Sequence, residues 1–401
     1  MKQRQSSTNL RVLLLVTDLT FGGAETQVVR LASEFTANGL HVCVVSMMEP
    51  KTWLGELAEH GVEVRTLGMS RGIPDPRAIL RFRRIVREFA PDVVHCHMFH
   101  ANILGRVARL FCPIPALIST VHNLKETSEA GGGTFWKECL YRITDSLSSR
   151  TTIICNAALQ RYVKVGAVPR NRLQVIPNGI HSGTFTRSEE HRRTTRARLG
   201  IADQFVWLAV GRLAHQKDYP NLFLAIQKLP PAGHIVLIAG SGPLEAELKA
   251  ESARLGIQDR VNFLGAREDI RHLYDAADAY VMSSEFEGFS IALLEASCME
   301  KPIVATDAGG NNEIVLNGIT GYVVPTKDPD SLSNAMCLMM RSSSAERRRM
   351  GLAARNHCTT HFEMKQVVRR WLEMYQELYC SGTRSAWPKS WNRTHDQEIP
   401  Q

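Results

Sequence analysis

Two glutamates eight residues apart are the strongest candidates for chemistry in this 401-residue sequence. Glu287 lies in the loop of SSEFEGFSIALLEASCM, and Glu295 lies in the almost wholly apolar helix that Ser290 opens. A buried carboxylate needs a proton, a cation or ligand hydroxyls, and the hydroxyls of a ribose would suit Glu295. We expect the backbone N–H groups of Phe289, Ser290 and Ile291 to bind a phosphate at the helix start. The alternative is a pair of surface or core-paired glutamates.

A second loop carries two cations, Arg212 and Lys217, in VGRLAHQKD directly after a predicted strand. Two positioned cations could clamp a diphosphate and neutralise the negative charge that grows on it as it leaves. Taken alone, such a pair could equally be a surface feature. The only Asp-x-Asp sequence surrounds Pro329 at a predicted helix start, where an N-cap is the better interpretation. We therefore expect no metal site there.

Two glycine pairs follow predicted strands. Gly22 and Gly23 come after the first strand and open a helix, while Gly240 and Gly242 close a strand in AGSGPL. Backbone amides without a neighbouring Cβ can approach an anion or a sugar closely. Turn formation alone would also explain either pair.

Histidines gather at strand ends in the first half of the chain: His95, His97, His100 and His122. Two histidines at i, i+2 with a third nearby could bind zinc, but no carboxylate or spaced cysteine pair completes the ligand set. Polar contacts to a sugar are the preferred interpretation. The third interpretation is that these histidines are structural and make their hydrogen bonds within the protein.

The elements that must position these residues are short β-type runs alternating with helical patterns, which indicates parallel sheets of βαβ units. Strands are predicted at 11–16, 41–47, 62–67, 92–97, 116–121, 151–155 and 173–176, and after a hydrophilic stretch at 205–210, 234–239, 261–264, 279–282, 302–306 and 321–324. Because the alternation of strands and helices begins again after this hydrophilic stretch, we place a domain boundary near 180–198. In doubly wound domains ligands bind at the carboxyl ends of strands, so the cleft between the two halves is the expected site.

The composition of the sequence predicts where in the cell the protein is located. Nine scattered cysteines without a C-x-x-C pair indicate reduced thiols in the cytoplasm, and no apolar run is long enough to span a membrane.

Residues 1–186 hold 22 Lys+Arg against 14 Asp+Glu, whereas residues 187–401 hold 26 of each. On the predicted helix DPRAILRFRRIVREF, Arg77, Arg81 and Arg84 share one side, which is either a solvated face or one attracted to anionic lipid at the inner face of the plasma membrane. Basic and aromatic residues do not interleave, so we expect no nucleic-acid partner.

Nine segments together resemble family 4 of the glycosyltransferases, which have the GT-B fold. They are GGAE at 22–25, HCHMFHAN, TVHN at 120–123, IPNGI at 176–180, GRLAHQKD, AGSGP, FLGAREDI, EGFSIALLE at 287–295 and VATDAGGNNEIV. The resemblance covers about residues 10–378. It implies an α/β protein with two Rossmann-like doubly wound domains facing across a cleft.

The resemblance also implies roles for individual residues. The equivalents of Arg212 and Lys217 hold the donor pyrophosphate, that of Glu295 holds the ribose, and that of Glu287 contacts the transferred sugar. His122 resembles the active-site histidine near the anomeric centre, and His97 is a weaker match on the acceptor side. Further donor-binding residues are expected in the glycine loops, at the helix start and in the turn that meets the base: Gly23, Gly240, Arg267, Phe289, Ser290 and Ile291. One departure is His181, where the family often has Asp.

The implied activity is retaining, metal-independent transfer of a hexose-type sugar from a nucleotide-diphosphate sugar, expected to be a UDP-sugar. The expected acceptor is a polysaccharide or a lipid-linked glycan, and no cofactor is expected. Alternatives are a UDP-sugar epimerase or a phosphorylase of the same fold, or a non-catalytic binding protein. We assign acceptor binding to residues 1–185, donor binding to 186–361, a helix returning to the first domain to 362–380, and a polar tail to 381–401.

Overall fold

A computed structural model describes residues 10–20, 22–73, 75–124 and 135–382 of the chain. Almost all of the predicted polar tail, residues 383–401, lies outside the described residues. Among the residues described, no helix combines the length and apolarity needed to cross a membrane.

The first domain is a seven-stranded parallel sheet in the order β3-β2-β1-β4-β5-β6-β7. Its elements are β1 (Arg11–Val16), α1 (Gly23–Ala37), β2 (His41–Met48), α2 (Leu54–Glu59), β3 (Glu63–Met69), α3 (Arg77–Phe89), β4 (Val93–His97), α4 (Phe99–Ala108), β5 (Ala116–Val121), α5 (Phe135–Thr144), β6 (Arg150–Ile153), α6 (Asn156–Lys164) and β7 (Leu173–Val175).

The second domain is a six-stranded parallel sheet in the order β10-β9-β8-β11-β12-β13. Its elements are α7 (Glu189–Arg198), β8 (Phe205–Val210), α8 (Tyr219–Lys228), β9 (His234–Ala239), α9 (Glu245–Arg254), β10 (Val261–Gly265), α10 (Ile270–Ala276), β11 (Ala279–Met282), α11 (Ile291–Cys298), β12 (Ile303–Thr306), α12 (Asn311–Ile314), β13 (Gly321–Val324), α13 (Pro329–Arg341) and α14 (Ser344–His361). The last helix, α15 (Met364–Gly382), packs against the first domain.

All thirteen predicted strands are present, with ends within two residues of the predicted ones. The fold class predicted from the sequence is therefore confirmed. The strands were recognisable because a parallel sheet covered by helices on both faces is built from nearly continuous apolar runs. In β1, for example, Leu13 and Leu15 enter the core beneath α3 and α4, while Leu14 enters the core beneath α1 and α15.

The chain passes between the domains at two adjacent places. The segment after β7 leads into the second domain, and α15 brings the chain back to the first. Ile180 joins the two passages, because its N–H donates to the Phe362 carbonyl at 2.9 Å and its carbonyl accepts from the Met364 N–H at 2.9 Å. On α15, Trp371 and Tyr375 are almost completely buried against the first sheet.

Candidate active site

Two loops of the second domain meet at an ion pair. Lys217, after β8, donates from Nζ to Oε1 of Glu287, after β11, at 2.6 Å. The Ser284 hydroxyl donates to the same oxygen at 2.7 Å, and the Ser283 hydroxyl donates to the Lys217 carbonyl at 2.9 Å. Glu287 is 6% exposed, so its carboxylate is held by a cation and a hydroxyl at the carboxyl edge of the sheet. The structure thus brings together two of the residues singled out in the sequence.

Gly240 lets the neighbouring loops lie close to this pair. Its φ of 147° is in the region that favours glycine, and a Cβ there would lie 2.0 Å from the Gly211 carbonyl oxygen. Gly211 begins the loop that carries Arg212 and Lys217. A side chain at position 240 would therefore push this loop away from the end of β9.

Two helix amino ends face each other across the cleft. α11 begins at Ile291, and the Ser290 hydroxyl caps it by accepting from the Leu293 N–H. α1 begins at Gly23, where an added Cβ would lie 3.9 Å from Cγ1 of Ile291. Helix amino ends carry partial positive charge and free N–H groups, so the two ends together favour an anion between them.

Asn178, in the passage after β7, fixes the turn before α11. Its side-chain amide donates to the Phe289 carbonyl at 3.0 Å. Phe289 is buried and packs its ring edge-on against Phe362, with ring centroids 5.0 Å apart. Phe289 therefore acts through its backbone and its packing in holding the start of α11.

Glu295 is held by a cation from the opposite domain. Nη2 of Arg30, on α1, lies 3.6 Å from Oε1 of Glu295, and the Tyr274 hydroxyl lies 3.4 Å from Oε2. Burial raises the pKa of Glu295, and the charge of Arg30 opposes this rise. Nη1 of Arg30 is buried and has no hydrogen-bond partner within the described residues. Sequence reasoning missed Arg30, because a mid-helix arginine carries no local sign of a partner in another domain.

A pair of buried histidines lies at the carboxyl edge of the first sheet. His97 ends β4 opposite Thr120 of β5, so His122 follows two residues later at the same edge. Nδ1 of His97 and Nε2 of His122 are 3.0 Å apart. Burial lowers the pKa of His122 to about 4 and that of His97 well below its usual value, so both rings are neutral near pH 7. One ring donates this hydrogen bond and the other accepts it.

The remaining ring nitrogens of the pair, Nδ1 of His122 and Nε2 of His97, are buried without a partner among the described residues. His97 is completely buried, so it supports His122 from behind and does not itself line an open surface. Gly288 approaches from the second domain, and a Cβ on it would lie 2.0 Å from the His122 carbonyl oxygen. The histidine pair and the Glu287 loop are therefore in direct contact.

His95 forms a structural layer beneath the pair. Its Nδ1 lies 2.7 Å from the Tyr375 hydroxyl and its Nε2 lies 2.6 Å from the Thr120 hydroxyl. Its ring is 4.0 Å from that of His97, centroid to centroid. His95 is thus a satisfied core histidine. Within the described residues, no cluster of three or more His, Cys, Asp or Glu side chains could hold a metal ion.

Glu25 is a second residue that sequence reasoning left without a role. Burial, with a contribution from Asp18, raises the pKa of Glu25 to about 7, and the charge of Arg212 across the cleft opposes the rise. Arg71 pairs with Asp18 at 3.0 Å. The first domain therefore contributes carboxylates close to the predicted diphosphate-binding loop.

Arg267 follows β10 at the same edge of the second sheet, but its side chain is engaged locally. Its Nε and Nη2 donate to the two oxygens of Asp269 at 2.8 and 2.7 Å. These hydrogen bonds, together with Arg198, lower the pKa of Asp269 to about 2. The backbone of this turn is therefore better placed than the Arg267 side chain to meet a ligand.

The Asp-x-Asp sequence is a helix cap, as predicted. Asp328 accepts from the Ser331 N–H at 2.9 Å and from its hydroxyl at 2.6 Å at the start of α13. Asp330 pairs with Lys228 at 2.8 Å.

Comparison with known proteins gives two adjoining family matches. The model described as Glycosyltransferase Family 4 matches residues 21–183, and that described as Glycosyl transferases group 1 matches residues 191–357. The UDP-Gal:alpha-D-GlcNAc-diphosphoundecaprenol alpha-1,3-galactosyltransferase of Escherichia coli is 28% identical over 66% of this chain and 70% of its own length. The alpha-maltose-1-phosphate synthase of Mycolicibacterium smegmatis is 27% identical over 72% of this chain and 80% of its own.

Among solved structures, Anabaena HepE in complex with UDP-glucose superposes with a TM-score of 0.80, covering 92% of this chain and all of its own. At 22% identity, this likeness concerns the fold.

Proposed function

Since the chain belongs to the family 4 type of glycosyltransferases with the GT-B fold, we propose that it moves a hexose-type sugar from a UDP-sugar to a glycan acceptor, with retained anomeric configuration and without a metal ion. The observation that carries this proposal is the Lys217–Glu287 pair, 2.6 Å long, at the edge where both domains meet. This pair places a cation that can stabilise a leaving diphosphate next to a buried carboxylate that can accept from sugar hydroxyls.

The diphosphate of the donor binds between the loop of Arg212 and Lys217 and the amino end of α11. Negative charge grows on the diphosphate as the sugar leaves, and the two cations stabilise it. The ribose hydroxyls donate to Glu295, and the backbone of the turn at Arg267 meets the base. The Anabaena protein of the same fold is in complex with UDP-glucose, which supports a uridine nucleotide.

The transferred sugar lies between Glu287 and His122. Glu287 accepts from sugar hydroxyls, and His122 forms a hydrogen bond as a neutral ring, because its pKa of about 4 excludes it as an acid near pH 7. The acceptor hydroxyl attacks C1 on the face from which the diphosphate departs. The new C1–O bond forms as the C1–O bond to phosphate breaks, and the hydroxyl proton passes to the leaving phosphate oxygen. The protein positions the reactants and stabilises charge.

The acceptor binds on the first domain and is a polysaccharide or a lipid-linked glycan. The Escherichia coli relative is named for transfer to a diphosphoundecaprenol-linked sugar, which favours a lipid-linked acceptor. The α3 face supports contact with an anionic membrane, since Arg77 and Arg84 are exposed. Part of this charge is balanced locally, because Arg81 pairs with Asp75 and Arg84 with Glu88.

The experiment that tests this function is incubation of the purified chain with a panel of radiolabelled UDP-sugars, with and without undecaprenyl-diphosphate-linked N-acetylglucosamine. We expect labelled lipid product that depends on the acceptor, with the anomeric configuration of the donor by NMR. Conversion of the donor to its epimer without acceptor would identify an epimerase instead. UDP binding without turnover of any donor would favour a non-catalytic binding protein.

A further inference from the structure

A basic cavity lies in the second domain, away from the cleft. Its volume is about 190 Å³, and the cations lining it are Arg187, Arg192, Lys301, Arg347 and Arg348. Only two acids, Asp278 and Glu300, line it with them. Cations therefore outnumber acids in the lining of this basic cavity.

The basic cavity and the candidate active site lie at opposite edges of the second sheet. Asp278 directly precedes β11 and Lys301 stands two residues before β12, so the cavity is at the amino ends of these strands. Lys217 and Glu287 follow the carboxyl ends of β8 and β11. A strand rises about 3.3 Å per residue, so the four-residue β11 separates the two edges by roughly 13 Å.

Lys301 is the buried member of this cluster. It is 4% exposed, and its Nζ donates to the Ala277 carbonyl at 3.0 Å. A protonated amine has three N–H donors, and this is the one acceptor that the described residues offer it. Burial, and then the charges of Arg192 and Arg187, lower the pKa of Lys301 to about 7, while Asp275 and Asp278 oppose this change.

One of the two acids that line the cavity, Asp278, is already engaged. Asp278 accepts from Arg192 at 2.6 Å, from Arg196 at 3.2 Å and from the Val206 N–H at 2.8 Å. Arg192 also donates to the backbone carbonyls at the carboxyl end of α10, so it has a structural role in holding that helix end. Asp278 therefore leaves little negative charge for Lys301.

Two arginines of α14 complete the cavity. Arg347 and Arg348 lie near the amino end of this 18-residue helix, where the helix dipole disfavours cations. The Arg347 guanidinium lies over the Phe205 ring, 5.1 Å from its centroid. Arg348 is exposed and has no hydrogen bond or ion pair with another described residue. An anion in the cavity would meet Arg348 and the unused donors of Lys301.

We propose that the basic cavity binds a dianion of the phosphate class, either free or carried by a small metabolite, at a site separate from the cleft. The bound dianion accepts hydrogen bonds from Lys301 and Arg348 and stabilises the protonated form of Lys301. Binding at a pH somewhat above 7 therefore takes up protons from the buffer.

Calorimetric titration of the full chain with sodium sulfate, at constant ionic strength and about pH 7.5, tests the proposal. Sulfate does not titrate near this pH, so proton uptake reports on the protein. We expect the heat of binding to depend on the ionisation enthalpy of the buffer. Removing one charged partner should weaken binding about tenfold in both Lys301→Met and Arg348→Ala, with proton uptake lost in Lys301→Met. Lys249→Met, which removes an exposed cation of the same domain, is the matched control and should bind sulfate normally.

Parallel titrations with inorganic phosphate, glucose 1-phosphate and glucose distinguish the sources of the ligand. Tighter binding of glucose 1-phosphate than of phosphate would indicate a phosphorylated metabolite, and equal binding would indicate the free anion. Two results would overturn the proposal: no binding of sulfate or phosphate at millimolar concentration, or binding that Lys217→Met abolishes and Lys301→Met preserves. Arg348 is exposed, so Arg348→Ala gives the same test if Lys301→Met fails to fold.

Discussion

Arg30 and Glu295 form an ion pair across the cleft, with 3.6 Å between Nη2 and Oε1. The arginine belongs to α1 of the first domain and the glutamate to α11 of the second. The residue proposed to hold the ribose thus depends for its charge on the domain proposed to hold the acceptor. Donor binding is therefore linked to the relative placement of the two domains.

Replacing this arginine should weaken donor binding in a pH-dependent way. In Arg30→Met, burial of Glu295 is no longer opposed by a cation, so the pKa of Glu295 rises further. A protonated Glu295 accepts ribose hydroxyls poorly. We expect the affinity for UDP, measured by calorimetry, to fall more at pH 6 than at pH 8. Lys249→Met, which removes an exposed cation, is the control. Unchanged affinity at both pH values would contradict the role given to Arg30.

Glu287→Gln should reduce sugar transfer by about 100-fold or more while leaving UDP affinity nearly unchanged. The amide is weaker as an acceptor for sugar hydroxyls, whereas Lys217 remains available for the diphosphate. Initial rates and calorimetry on the same preparation measure the two effects. Glu285→Gln is a matched control, since this neighbouring acid pairs with the exposed Lys327. Equal losses in rate and in UDP affinity would count against the assigned role of Glu287.

Chelation should leave transfer unaffected. Arg212 and Lys217 are proposed to stabilise the leaving diphosphate, so excess EDTA should not change the initial rate. A rate that falls with EDTA and recovers with Mg²⁺ or Mn²⁺ would show that a metal ion supplies this stabilisation.

The buried histidines should make the folded protein sensitive to acid. The pKa of His122 is lowered from 6.5 to about 4, so folding excludes a proton that the unfolded chain binds. Its contribution to stability is complete above pH 6.5 and is lost as pH falls toward 4. Between pH 7 and 5 this loss amounts to about 2 kcal/mol. Urea unfolding at both pH values should show a smaller loss in His122→Gln than in wild type or in the exposed control His60→Gln. Identical losses in all three would contradict the assignment.

Replacing Arg77, Arg81 and Arg84 by glutamine in one variant should reduce the fraction of protein that sediments with anionic phosphatidylglycerol vesicles. Each cation near an anionic surface contributes about 1 kcal/mol. A triple variant of exposed second-domain cations, Lys249, Arg254 and Arg341, provides a control of equal charge. Sedimentation of the α3 variant equal to that of wild type would remove the membrane proposal.

The strands could be predicted from the sequence because each is recognisable locally as an apolar run. The loops of Lys217 and Glu287 could be located as well, because each comes directly after a strand. The Arg30–Glu295 contact could not be predicted in this way. It depends on how two separately folded sheets face each other, and a polar residue within α1 has the same local pattern whether it meets solvent or a second domain. His95 illustrates the same limit, since its hydrogen bond to Tyr375 depends on the packing of α15.

The hydrogen bonds from Ile180 to Phe362 and Met364 bind the two interdomain passages to each other. Two adjacent crossings that are tied together restrict how the two domains can move relative to each other. The same arrangement makes the first domain depend on α15. A polypeptide cut after residue 361 would lose Trp371 and Tyr375 from the first core, so the two halves cannot be separated cleanly at the boundary between their sheets.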